Sequence, residues 1–222
     1  YSKYINNEHE LAIDERKVHM EENMIITISR QYGSGGSQVA KILAERMGVW
    51  CYDRDILTIA AERIGNEELT EDTINDLNYK RNDVASAGIT GVMGMGNIPI
   101  YNQMFLEQAK IIRKLANYGS AVFLGRCADY ILKDIKNCTS VYLYADREFR
   151  KNRVKEIYGS NAEIMDKEEK NRADYYNYYT GNRWGDINNY DFAINTSKVS
   201  FEEAADLIYR FAKDKQKNLK DR

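Results

Sequence analysis

The sequence is short of histidine. His9 and His19 both precede the first apolar run, and the chain from residue 24 onward has none. That removes Ser-His-Asp hydrolases, Cys-His nucleophiles and histidine-built metal sites from the body of the protein. Three cysteines, Cys51, Cys127 and Cys138, form no CxxC pair. Neither a disulfide framework nor a structural zinc site is expected, and a reducing cytoplasm is the expected location. The net charge of −2 lacks the basic surplus of a duplex-binding face, so no nucleic-acid partner is expected. No apolar run approaches the roughly 20 residues of a membrane helix, and no signal-peptide pattern opens the chain; no membrane partner is expected. Chemistry is left to carboxylates, arginines, lysines, backbone amides or a bound metal ion.

Proline is scarcer still. The single one, Pro99, closes the stretch GITGVMGMGNIP (Gly88–Pro99). This is expected to be a loop, either a flap over a substrate or an ordinary long connection. The 222 residues suffice for one α/β domain with inserts. Residues 1–23 are polar and do not open with Met; they are expected to be an arm, a short helix or an appended segment.

Five short apolar runs read as strands: Met24–Ser29, Val49–Tyr52, Ser120–Leu124, Thr139–Tyr144 and Tyr190–Asn195. Helical periodicity predicts helices from Ser37 to Met47 with Gly48 as the stop, over Asn102–Tyr118, over Asp146–Tyr158 and over Phe201–Ala212. DRDILTIAAERIG and EELTEDTINDLNY read as two more. The lysine-rich end, residues 214–222, should be solvated. Strands alternating with helices imply a parallel sheet covered on both faces, with ligands beyond the carboxyl ends of the strands. GSGGS, Gly125-Arg126 and the segment after Tyr144 all fall at such ends.

The run ITISRQYGSGGSQVAKILAE (Ile26–Glu45) places a glycine-rich turn between a strand and a helix start. A helix start offers unpaired N–H groups and a positive dipole end, and glycines let the backbone curl around an anion. Gly33, Ser34, Gly35, Gly36, Ser37 and Gln38 are the candidate phosphate-binding residues, with Ser37 placed to meet a phosphate or a metal ion. A plain strand-to-helix turn is the alternative. A dinucleotide turn fits less well: Asp53 lies about where a ribose-binding acid belongs, but Gln38 occupies the third-glycine position. A P-loop of the form G-x-x-x-x-G-K-[ST] should carry lysine where Gly36 stands. Losing one preorganised donor costs on the order of 3 kcal/mol, against about 8–23 kcal/mol supplied by whole enzymes. Transfer should be weakened and not abolished, especially if another cation substitutes. Arg30, at the entry to the loop, is the nearest candidate; Lys41 should point away.

Arg147, Arg150 and Arg153 repeat at i, i+3 and i+6 along one helix. They suit the charge spread over a transferring phosphoryl group; a solvated face paired with acids is the alternative. The aromatic run Tyr175–Asp191 has three readings: a lid that stacks on a base, a local core, or a contact between copies in a homo-oligomer.

Taken together, ISRQYGSGG, AKILAE, CYDRDIL, VFLGRCADYIL and YYNYYTGNRWGDINNYDFAINTS resemble the cytidylate kinase-like family of P-loop nucleoside-monophosphate kinases. The resemblance runs from about Met24 to Ala212. It implies a three-layer α/β core of P-loop NTPase type over residues 24–213, with a monophosphate-binding insert (about 53–118) and a helical, arginine-bearing lid (about 146–189). It implies transfer of the ATP γ-phosphate to CMP or a similar nucleotide, with Mg²⁺. The family loop reads G-x-x-G-x-G-K-G-T. Gly33, Ser34 and Gly35 match its G-x-G; Arg30 stands for its first glycine, Gly36 for its lysine, Ser37 for its next glycine and Gln38 for its threonine. Asp53-Arg54 falls where a monophosphate-contacting arginine is expected. Gly125-Arg126 matches the G-R of the family's D-G-R-D, but Leu124 and Cys127 replace both acids, and Asp129 follows. Arg147, Arg150 and Arg153 resemble lid arginines, and Arg172 and Asp174 the R-D pair near the lid's end. Two further possibilities follow from these departures: a nucleotide-binding regulatory protein with weak or lost catalysis, or a kinase of another small acceptor.

Overall fold

Ile25–Arg30 (β1) is buried at every position, as expected for a β-branched central strand. In the computed structural model, which describes residues 23–56, 58–59, 100–159 and 161–220, β1 is followed by α1 (Gly36–Met47), β2 (Trp50–Tyr52), α2 (Ile100–Tyr118) and β3 (Ala121–Leu124). Then come α3 (Ala128–Ile131), β4 (Cys138–Tyr144), α4 (Arg147–Tyr158), α5 (Ala162–Thr180), a 3₁₀ turn at Ile187–Asn189, β5 (Phe192–Asn195) and α6 (Phe201–Lys220). Of the first expected helix (53–65) only the start is described, helical at 55–56 and 58–59; the second (67–79), the Gly88–Pro99 loop and the N-terminal arm up to residue 22 lie outside the described residues.

The sheet order is β2-β3-β1-β4-β5, and every pairing is parallel. Parallel pairing needs helical crossovers, and these cover both faces. Alternation along β1 divides the core. Ile26 and Ile28 pack with Val122, Leu124, Val141 and Leu143 against Val39 and Leu43 of α1 and Ala205 and Ile208 of α6. Ile25, Phe123 and Cys138 face the other way, toward Ile111 and Ile112 of α2 and Ile131 of α3. Each such fully buried branched side chain contributes about 1.5–3 kcal/mol. The result is a three-layer α/β domain whose strand ends share one rim.

Two helices depart from expectation. α6 runs on past Ala212 to Lys220; its lysine-rich end is mostly exposed, as expected, but Lys215 Nζ ties it down by donating to both carboxylate oxygens of Asp191, at 2.9 and 2.7 Å, and to the Cys138 carbonyl at 2.7 Å. α5 was not anticipated as a separate helix. It is capped by Asn161, whose side chain accepts the Ile164 N–H, and it buries only Met165, Asn171, Tyr176 and Thr180. So narrow a seam in a polar helix leaves no apolar stripe in the sequence.

Candidate functional site

The glycine loop begins where β1 stops. Gln31 N–H still donates to Leu143 O at 2.9 Å, and the chain then turns away. Gly33 and Gly35 both take φ near +81°, a conformation that other residues adopt at a cost. Neighbours close the space around them: a Cβ on Gly33 would lie 2.9 Å from Arg150 O, and one on Gly35 would run into the Phe201 ring. Gly35 caps α1, and the N–H groups of Gln38 and Val39 both donate to its carbonyl. The N–H groups of Gly36 and Ser37 precede these first donors, which leaves them pointing out of the helix start.

Ser34 is buried. Its hydroxyl donates to Gln31 O at 2.8 Å and its carbonyl accepts from the Thr196 hydroxyl at 2.6 Å, so it braces the loop from within. Ser37 and Gln38 are exposed and line a cavity at the helix start together with Gly36, Arg30, Arg153 and Arg172. Lys41 is exposed and pairs with Glu45, away from the loop, as expected.

The basic helix divides by position. Arg153 reaches back to Gln38 Oε1 and lies over the Phe201 ring at 4.7 Å. Arg150 is buried; it donates to Tyr32 O at 3.4 Å and stands 3.6 Å from Glu169. Arg147 is exposed and forms a two-pronged pair with Asp166 of α5, at 2.8 and 2.6 Å. Two of the three arginines therefore meet the loop, and the third ties α4 to α5.

A second cavity opens beside the first, lined by Ser29, Arg30, Arg126, Arg172, Tyr175 and Trp184 among others. Three successive residues at the end of β3 take positive φ: Gly125 at 73°, Arg126 at 60° and Cys127 at 54°. For the two non-glycine residues this stores about 1–3 kcal/mol each. The turn presents Arg126, which is buried and whose carbonyl accepts from Gln108 Nε2 at 3.3 Å. Burial and the nearby Asp129 push the Cys127 thiol well above its ordinary value, so it stays a neutral wall.

Asp129 faces inward. It accepts the Tyr176 hydroxyl at 2.6 Å and the Ser29 hydroxyl at 3.4 Å, and burial pushes its carboxyl up despite these donors. It ties α5 to β1. Asp53 stands 3.7 Å from Arg30. Arg54 is exposed, and Asp174 is half-buried on α5; neither lines the two cavities. Arg172 lines both: its guanidinium donates to Arg30 O at 3.0 Å and covers the Tyr32 ring at 5.0 Å.

Glu169 was missed. It accepts the Tyr32 N–H at 2.7 Å from 137 residues away, and burial raises its carboxyl above the usual range. No local pattern marks it. The aromatic run separates into roles. Tyr176 and Tyr190 are core, with Tyr190 stacked on Tyr142 at 5.0 Å, while Trp184 faces the second cavity.

Comparison with known proteins agrees with this architecture. A crystal structure of an uncharacterized protein from Eubacterium ventriosum ATCC 27560 superposes with a TM-score of 0.64 at 30% identity, covering 86% of this chain and 98% of that one. A gluconokinase from Sinorhizobium meliloti 1021 shares the fold at a TM-score of 0.50 and 15% identity, over 86% of this chain and 95% of that one. A shikimate kinase from Acinetobacter baumannii, solved with shikimate, gives a TM-score of 0.50 at 15% identity, over 88% and 95%. No curated protein matches the sequence. The model of the cytidylate kinase-like family matches residues 25–198, and the chain belongs to that family.

Proposed function

We propose that the protein is a phosphotransferase that moves the γ-phosphoryl group of ATP from the glycine-loop cavity to an acceptor in the adjoining arginine-lined cavity. One observation carries this reading: Arg30 and Arg172 line both cavities. Two cavities that share their cations bring a donor phosphate and an acceptor oxygen to one charged junction. Phosphoryl transfer needs little more than that positioning and charge. The bond from the γ-phosphorus to its bridging oxygen breaks, and ADP keeps the electron pair. A bond from an acceptor oxygen forms, and any hydroxyl proton leaves to solvent.

In this reading the Gly36 and Ser37 N–H groups, Gln38 and Arg153, which border the same cavity, would hold the donor's phosphates. Among the described residues no cluster of three carboxylate, cysteine or histidine side chains forms a metal cage. The donor set fits a magnesium ion held by the nucleotide's phosphates and the Ser37 hydroxyl, which would neutralise phosphate charge. Arg126 and Trp184 suit an acceptor that pairs an anion with a flat ring, and family membership favours a CMP-like monophosphate. Leu124 and Cys127, in place of the two acids of D-G-R-D, keep other small anionic acceptors in view.

The test is a panel of nucleoside monophosphates and small hydroxy acids with Mg·ATP, followed by acceptor-dependent ADP release. Turnover of one acceptor well above ATP hydrolysis supports the reading; ATP binding without turnover of any acceptor rejects it. The second reading, a nucleotide-binding regulator, is favoured by one feature, the absence of lysine at Gly36, and predicts that latter outcome.

A further inference from the structure

Arg30 crowds the position where a P-loop lysine would stand. A Cβ built on Gly36 would lie 2.7 Å from Cβ and 2.6 Å from Cγ of Arg30. No side chain fits at residue 36 while Arg30 holds its place. A Cβ on Gly125 would run into Arg30 Nη1, with Cζ at 3.3 Å. The Arg30 side chain thus spans two glycines, its stem against Gly36 and its guanidinium against Gly125. It is only 8% exposed, and its Nε finds no hydrogen-bond partner among the described residues. The Asp53 carboxylate stands 3.7 Å from its guanidinium. A buried guanidinium with an unused donor is costly unless something completes it. Both cavities reach this one.

We propose that Arg30 and Gly36 are an exchanged pair: the loop's cation has moved from the helix start to the end of the preceding strand, and glycine at 36 makes the room. This rests on the phosphotransferase reading for its chemistry. The terminal phosphate of a nucleoside triphosphate would meet Arg30 as a planar fork, where a lysine offers a point charge. Restoring lysine at 36 then damages the site instead of repairing it.

The test uses the full chain with Arg30→Met, Arg30→Gly, Arg30→Lys, Gly36→Lys and the double Arg30→Gly/Gly36→Lys, which removes the Cβ and Cγ that crowd residue 36. Melting temperature without nucleotide, ATP affinity by titration calorimetry, and kcat and KM with the best acceptor are measured. Arg30→Met should lower kcat about 10²–10³-fold, with KM for ATP changing less than about tenfold. Arg30→Lys should lose less. Gly36→Lys alone should lower both melting temperature and kcat, while the double variant melts above Gly36→Lys and exceeds Arg30→Gly in kcat. Arg30→Met within about threefold of a turning-over wild type overturns the exchange and leaves the phosphotransferase reading intact. Gly36→Lys that melts and turns over like wild type also overturns it. If the wild type binds ATP yet phosphorylates nothing, the phosphotransferase reading fails instead. The melting cycle then decides the steric exchange by itself: additive shifts overturn it, and a compensating double variant sustains it.

Discussion

Asp129 shows what burial does to a residue that sequence places in a binding motif. Its carboxyl, which accepts the Tyr176 and Ser29 hydroxyls, is held above its ordinary value of 3.8 by desolvation. A raised acid binds more protons folded than unfolded, so stability falls as pH rises from the unfolded value through the folded one. Above the folded value the loss is complete and the curve is flat. Asn at this position keeps an oxygen for the Tyr176 hydroxyl and carries no charge. The Asp129→Asn variant should therefore gain on the wild type as pH is raised from about 4 toward neutrality. Urea midpoints of both proteins across that range check this; a pH-independent difference would show that Asp129 does not titrate on folding.

At the scale of elements, α5 meets the glycine loop from outside through Glu169, which accepts the Tyr32 N–H at 2.7 Å and stands 3.6 Å from buried Arg150. Replacing Glu169 with Gln keeps an acceptor for the N–H but leaves Arg150 without its counter-charge. Glu169 is one-fifth exposed as a side chain, so the cost falls below that of a fully buried pair, at about 1–3 kcal/mol. Arg150→Met in the same background should recover part of it, because the uncompensated charge is gone. Chemical denaturation of the two single variants and the double variant measures the coupling, and strict additivity would deny the pair any role.

This latch also shows where sequence stops informing. β1, α1 and the stop at Gly48 were legible because β-branched runs, helical spacing and a left-handed glycine at φ 64° are local signals. The glycine loop was legible for the same reason, and so was the outward direction of Lys41. Arg147 looked like a partner of Arg150 and Arg153, since all three share a drifting helical face. Its two-pronged pair with Asp166 depends on where α5 packs, which no spacing within α4 reveals. The inward turn of Ser34 and Asp129 likewise depends on Thr196, Tyr176 and Ser29, residues brought in by other elements.

For the whole molecule, the consequence lies in the rim where both cavities meet. Arg172 comes from α5, donates to the carbonyl of Arg30 on β1, and lines both cavities. On the proposed phosphotransferase reading, a ligand in either cavity would draw on the same two guanidinium groups and so change what the other ligand finds. Such coupling is reciprocal: the factor by which a bound acceptor changes ATP affinity must equal the factor by which ATP changes acceptor affinity, typically about 5–150-fold. A non-hydrolysable ATP analogue and the acceptor chosen by the panel, each titrated with and without the other, should give one common factor different from unity. Arg172→Met removes a shared cation while leaving Arg30, Arg126 and Arg153 in place. It should move that factor toward unity and weaken each single binding step by less than it weakens the ternary complex. Equal losses in the binary and ternary complexes would mean that Arg172 acts within one cavity only, and that the junction does not join the two sites.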